Sequence, residues 1–166
     1  MNMLINIAEL AGAPGRELPF AFQASADELD VNGADYSFTD PIKVTGTIVN
    51  TGTAFRVAGT LAAMKHFVCN RCLKECDEAQ EHTFAETFQR GGSEDADITV
   101  DGDMVELTAL VRDTLLAAQP LSNICKPDCK GLCPVCGQNL NEGDCGCDRF
   151  VPDPRLAALQ QLKFDE

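Results

Sequence analysis

The sequence contains no tryptophan and one tyrosine, and only 6% of its 166 residues are aromatic. A chain of this length is about one domain by the usual prior of ~150 residues. It is long enough to bury a core, which must here be built from aliphatic side chains and phenylalanine. Cations are also scarce, with 13 Lys and Arg against 26 Asp and Glu and a net charge of −13. That balance argues against gripping phosphate backbones through many cations and suits a basic partner better. Long apolar runs are missing as well. The stretch near Leu107 to Leu121 carries Arg112 and Asp113 and falls short of the ~20 apolar residues that span a bilayer, so no membrane segment is expected. The N-terminus has no basic flank and Glu9 interrupts its apolar residues, which predicts a chain without a signal peptide, in the cytoplasm. No serine-histidine-acid set, phosphate-cradling glycine loop or two-histidine metal motif is present, so the expectation is a protein that is not an enzyme.

Against these scarcities stand nine cysteines. A reducing compartment makes clustered cysteines metal ligands rather than disulfides. Cys69, Cys72 and Cys76 lie in the middle; Cys125, Cys129, Cys133, Cys136, Cys145 and Cys147 lie near the end. Two cysteines separated by two residues can face one tetrahedral ion while the backbone between them offers N–H groups to the sulfurs. Cys69-Asn-Arg-Cys72 and Cys133-Pro-Val-Cys136-Gly137 have this form. In the second, Pro134 presets the turn and Gly137 can take a positive φ. Cys145-Gly146-Cys147 supplies two more sulfurs, completing a four-sulfur site from Cys133 to Cys147. Cys69, Cys72, Cys125 and Cys129 then form a second site across more than fifty residues, a staple for a chain poor in aromatics. Spacing also permits other pairings, such as Cys69 and Cys72 with Cys133 and Cys136; the eight ligands are firmer than their partition.

Two structural zinc ions are therefore expected, with Cys76 as the spare thiol and His66 as a less favoured substitute ligand. The gaps of three, three and two residues from Cys125 to Cys136 differ from the two, two and three of a ferredoxin run, so zinc is preferred to an iron–sulfur cluster. A thioredoxin-like reading of Cys69-x-x-Cys72 lacks the strand-helix-strand unit it needs.

The remainder reads as a scaffold. Leu4–Ala8 and Leu18–Ala24 have strand character, and Ser25 can cap a helical turn to Leu29. Alternation over Ile42–Val49 and Phe55–Val68, around Asn50-Thr51-Gly52-Thr53, predicts a β-hairpin whose second strand runs into Cys69. Glu81–Arg90 reads as a further strand with His82, Phe84, Glu86 and Phe88 on one face, although Phe84 and Phe88 also fit a helix. The acid-rich stretch Gly91–Asp103 reads as a solvated loop. Leu107, Leu110, Val111, Leu115 and Ala118 recur at helical spacing until Pro120. Asp153 and Pro154 open a short final helix with Leu156, Leu159 and Leu162 inward. The predicted class is α+β, predominantly antiparallel sheet with a packed helix and a cysteine-rich zinc-binding C-terminal segment. The expected division is a β-rich part, residues 1–120, and a zinc-binding part, residues 121–166, docked as one structural unit.

Cys69-Asn-Arg-Cys72-Leu73, Ala117-Ala118-Gln119-Pro120-Leu121 and the run from Cys125 through Cys129-Lys130-Gly131-Leu132-Cys133-Pro134-Val-Cys136-Gly137-Gln-Asn139-Leu140-Asn141 together resemble the bacterial YceD family. The resemblance covers most of the chain and is most specific from Cys129 to Asn141. Members are described as large ribosomal RNA subunit accumulation proteins, so the resemblance implies a cytoplasmic role in synthesis, processing or stability of the large-subunit (23S) rRNA, and it brings no catalytic residue. The charge favours a basic ribosomal or rRNA-processing protein as partner over direct rRNA contact. Lys126, Lys130, Arg149, Arg155 and Lys163 are the only candidates for an RNA-binding stripe near the cysteine-rich end. A direct rRNA-binding module and a thiol-based redox or zinc sensor are the competing readings.

Overall fold

The computed structural model describes residues 3–88, 99–149 and 155. They form an α+β fold dominated by antiparallel strands, divided into two compact units. One comprises Met1–Val68 with Glu75–Asn123, and the other Cys69–Lys74 with Ile124–Glu166.

In the first unit, β1 (Leu4–Asn6) precedes β2 (Glu17–Ala24), and α1 (Ala26–Leu29) follows at once. Ser25 caps α1 through a reciprocal box: its hydroxyl accepts the Glu28 N–H while the Glu28 carboxylate accepts the Ser25 N–H. After β3 (Tyr36–Phe38), the long hairpin expected from alternation is present as β4 (Ile42–Asn50) and β5 (Phe55–Val68). Its Thr51–Ala54 loop closes with a Thr51 N–H bond to the Ala54 carbonyl, and Gly52 supplies a φ of 94°. β6 (Glu75–Phe88) pairs with β5 along its whole length. β4 and β3 share the opposite edge of β5, and β2 extends the sheet beyond β4.

Residues of odd number on β5 face the core. Phe55, Val57, Leu61, Ala63 and Phe67 are buried there, with Ile42, Val44 and Ile48 from β4 and Phe84 and Phe88 from β6. β6 is therefore a strand and not a helix at Phe84 and Phe88, and His82, Phe84, Glu86 and Phe88 share one face of it. It begins six residues before the expected Glu81. Glu75, Asp77, Glu78 and Glu81 are exposed, so this half of an edge strand carries no apolar alternation to betray it.

A second sheet joins β1 to β8 (Met104–Glu106) and β8 to β7 (Thr99–Asp101). The stretch 91–103 is thus corrected from a loop throughout: β7 lies within it, and Gly102 at φ 58° makes the tight turn into β8. Acidic composition hid a hairpin whose two-residue Gly102-Asp103 turn was the local signal. α2 (Thr108–Ala117) packs on β6 and buries Leu110, Val111 and Leu115; Leu107 is buried just before it, whereas Ala118 is exposed. The final helix expected from Asp153 and Pro154 lies outside the described residues.

Two features of the first unit concern packing. Gly46 pairs with Gly59, between Phe20 on β2 and Phe84 on β6. A Cβ on Gly59 would lie 2.5 Å from the Thr45 carbonyl oxygen and 2.7 Å from Cζ of Phe84, and one on Gly46 would meet the Ala58 carbonyl oxygen and lie 2.6 Å from Cζ of Phe20. The neighbouring strand's backbone and an aromatic ring together occupy the space that each side chain would fill. The second feature is Lys65, which is fully buried. Its ammonium donates to Oδ1 of Asn123 at 2.7 Å and sits 4.9 Å and 5.3 Å from the ring centroids of Tyr36 and Phe67. Burial lowers its pKa, while Glu78, its cross-strand neighbour, acts the other way. The Lys65–Asn123 bond joins two segments close to the points where the chain leaves the first unit, Val68 and Asn123.

Gly59→Ala should destabilise the protein by about 1–3 kcal/mol, the usual penalty for overpacking, with the loss read from denaturant unfolding of the metal-loaded chain. An unchanged midpoint would show that the Thr45 backbone and the Phe84 ring both yield freely.

Candidate metal centres

Among the described residues, the buried cluster of the second unit consists of Cys69, Cys72 and Cys129, with Ile124, Cys125 and Leu132 against it. Sulfur is its core. The loop Cys69–Lys74 folds as a knuckle in which the Leu73 N–H donates to the Cys69 carbonyl at 2.9 Å and the Cys69 N–H to the Lys74 carbonyl at 2.8 Å. Cys133–Gln138 repeats the pattern, with Gly137 N–H to the Cys133 carbonyl at 2.9 Å and Cys133 N–H to the Gln138 carbonyl at 2.8 Å. The same chemistry at the same spacing thus gives the same turn twice. Each knuckle needs a left-handed residue after its second cysteine, and Gly137 supplies it at φ 77°. In the first knuckle that position is Leu73, at φ 59° and 63% exposed, a conformation costing a non-glycine residue roughly 1–2 kcal/mol.

The knuckles and the tail bring eight sulfurs into two groups. Cys69, Cys72, Cys125 and Cys129 form one; Cys133, Cys136, Cys145 and Cys147 form the other; within each, all ligand atoms lie within 4.8 Å of one another. This is the partition first reached from spacing. In the first group Cys69 and Cys129 are 3.9 Å apart and Cys72 and Cys125 are 3.6 Å apart. Those separations are far beyond the ~2.05 Å of a disulfide. They match the ~3.8 Å edge of a tetrahedron whose metal–sulfur bonds are ~2.3 Å. Both groups are therefore positioned to bind a metal ion. Cys76 belongs to neither and lies on β6 opposite Phe67. His66 is also apart from the groups: its Nδ1 lies 2.8 Å from the carboxylate of Asp77, its cross-strand neighbour.

Backbone N–H groups and neighbouring sulfurs make the thiols unequal. Burial pushes Cys69 up, but N–H groups of Cys72, Cys125 and Arg71 outweigh it and bring the thiol down to about 6. N–H groups of Cys136 and Val135 bring Cys133 to about 6 as well. Burial, reinforced by the surrounding sulfurs, pushes Cys125 up to about 12, and the Cys136 and Cys145 thiols push Cys147 to about 12. The Asn141 amide lowers Cys129. The first group thus holds two favoured thiolates, Cys69 and Cys129, and the second holds one, Cys133, each beside a thiol that resists ionisation.

Three residues shape the first group without being legible from cysteine spacing. The Arg71 guanidinium donates to the Cys129 carbonyl at 3.0 Å, and its own carbonyl accepts the Leu132 N–H at 3.1 Å. Gly131, at φ 75°, passes so close that a Cβ there would be 3.1 Å from the Arg71 oxygen. Asn141 donates to Sγ of Cys129 at 3.4 Å.

Cys72→Ser should cost the protein one bound metal ion per chain and Cys136→Ser one other, whereas Cys76→Ser should leave the metal content unchanged. Elemental analysis of reduced, tag-free protein reads this directly. Loss of an ion in the Cys76 variant would move Cys76 into a ligand set.

A family model described as large ribosomal RNA subunit accumulation protein YceD matches residues 57–163. Uncharacterised proteins of Mycobacterium tuberculosis and Mycobacterium bovis are 30% identical over 113 residues, 64% of this chain and 54% of theirs. A large ribosomal RNA subunit accumulation protein YCED homolog 1, chloroplastic, from Arabidopsis thaliana is 22% identical over 162 residues, covering 78% of this chain and 50% of that protein. The chain spans about half the length of these curated relatives. No solved structure matches it. The family match takes in both knuckles and all eight grouped cysteines, and the chain belongs to the YceD family.

Proposed function

We propose that each cysteine group holds one zinc ion and that the chain acts without catalysis in accumulation of the large-subunit (23S) rRNA, in the cytoplasm. Its contact is a basic ribosomal or rRNA-processing protein. The observation that carries the reading is closure: four sulfurs within 4.8 Å fill all positions of a tetrahedral ion. That leaves no place for the water or substrate of a catalytic zinc. Four thiolates per ion also suit zinc as a structural element, whose binding is folding energy for the segments it joins.

The charge supports a protein partner. Eight thiolates add −8 to the chain's −13 and two zinc ions return +4, leaving −17. In the second unit, Lys126 pairs with Asp128 at 3.8 Å and Arg149 with Asp144 at 3.1 Å, while Arg71 is engaged by the Cys129 carbonyl. Lys130 lines a small cavity together with Glu142 and Asp144. Among the described residues, Lys126 and Arg149 pair with acids and Lys130 lies beside two more, which disfavours a stripe for phosphates. β6, by contrast, exposes Glu75, Asp77, Glu78, Glu81 and Glu86, a surface whose potential complements a basic protein and whose binding weakens with salt.

Purified protein should be colourless and carry two zinc ions per chain. Depleting it from its own cells should lower the ratio of large- to small-subunit rRNA, with the wild-type chain restoring the ratio and Cys125→Ser failing to do so. In vitro, binding to large-subunit rRNA fragments at physiological salt should be weaker than about 1 μM, while a basic protein is captured after ribonuclease treatment. Submicromolar RNA binding that Lys126→Glu with Lys130→Glu abolishes would replace the partner reading with direct rRNA contact. A brown, sulfide-containing preparation would replace zinc with iron–sulfur.

A further inference from the structure

Between the last ligand of the first group, Cys129, and the first ligand of the second, Cys133, lie only Lys130, Gly131 and Leu132. This strap is fastened on both sides. Toward the first knuckle, Leu132 N–H donates to the Arg71 carbonyl. Toward the second ribbon, Leu140 N–H donates to the Gly131 carbonyl at 2.9 Å, and Leu132 bridges Asn139.

One side chain reaches across all of these parts. The Oδ1 of Asn141 accepts the Lys130 N–H at 3.0 Å, and its Nδ2 donates both to Sγ of Cys129 at 3.4 Å and to Oδ1 of Asn139 at 2.9 Å. The Asn141 N–H donates to that same Asn139 oxygen at 3.1 Å, and Asn139 in turn donates to Glu142 at 3.0 Å. We propose that Asn141 is a positioning residue that couples the two metal groups, aiming an amide N–H at a sulfur of the first while the ribbon of the second fixes its orientation.

The chemistry requires an amide. Lys130 N–H needs an acceptor and the Cys129 sulfur needs a donor, and asparagine offers both on one carbon. Aspartate of the same shape would keep the acceptor but turn a carboxylate oxygen toward the thiolate. The segment that holds Asn141 is ordered in turn by the second knuckle, through the Cys133 N–H bond to the Gln138 carbonyl. Filling the second group therefore preorganises the first, and linkage makes the effect reciprocal. Outer-shell partners of metal ligands typically change affinity 10–100-fold.

The inference rests on the metal reading above, and the test separates the two. Full-length protein is titrated with zinc against a chromogenic chelator. Asn141→Asp should weaken one of the two ions by about 10–100-fold and leave the other nearly unchanged. With cobalt in place of zinc, the thiolate-to-metal charge-transfer band of one ion should move to lower energy, a change that simple loosening of the ribbon would not produce. Cys133→Ser with Cys136→Ser, which removes the second group, should weaken zinc at the first by about 10-fold even though its own four cysteines are intact. A wild-type chain holding two zinc ions, with Asn141→Asp unchanged in affinity and spectrum or with the first group indifferent to loss of the second, overturns the coupling alone. A wild-type chain that binds no zinc overturns the metal reading and the coupling with it.

Discussion

Four sulfur atoms within 4.8 Å of one another cannot all carry negative charge unless a cation sits among them. The described geometry around both cysteine groups follows from that constraint. Aimed N–H groups favour the thiolate of Cys69 and of Cys133, while burial pushes the Cys125 thiol up and the sulfurs of Cys136 and Cys145 push up that of Cys147. Among the described residues, the buried cluster around Cys69, Cys72 and Cys129 has Ile124 and Leu132 as aliphatic support. A bound cation would add folding energy to this cluster.

The first group does more than hold a local turn. Cys72 and Cys125 are 53 residues apart in sequence, so an ion shared by them joins the loop between β5 and β6 to the segment after α2. Within the first unit, β5 pairs with β6 over fourteen residues up to Val68 and Glu75, and Lys65 donates to Asn123. Metal–sulfur bonds at the first group would oppose the loop entropy of joining the two ligand pairs.

The hairpin of β4 and β5 was legible because one face is buried and its residues alternate, and the cysteine groups because chelating pairs have a fixed spacing. The early half of β6 was not, since Glu75, Asp77, Glu78 and Glu81 all meet solvent. Lys65 looks like an ordinary surface cation, yet it stands in the same odd-numbered row as Val57, Leu61 and Ala63; parity was the available signal. Leu73 occupies the place that Gly137 fills in the other knuckle, so comparing the two knuckles position by position exposes its unusual backbone. Asn141 gives no such sign, because its role depends on a tertiary contact with Cys129.

On the proposed reading, the sheet folds by burial, the cysteine-rich unit folds around ions, and function lies in shape and charge. The central claim is closure of both groups by sulfur. X-ray absorption at the zinc edge of the reduced, two-zinc protein measures this most directly. The account predicts four sulfur neighbours per zinc at ~2.3 Å and no nitrogen or oxygen in the inner shell. An average shell containing one or more oxygen or nitrogen atoms per zinc would show an open or mixed site and contradict it.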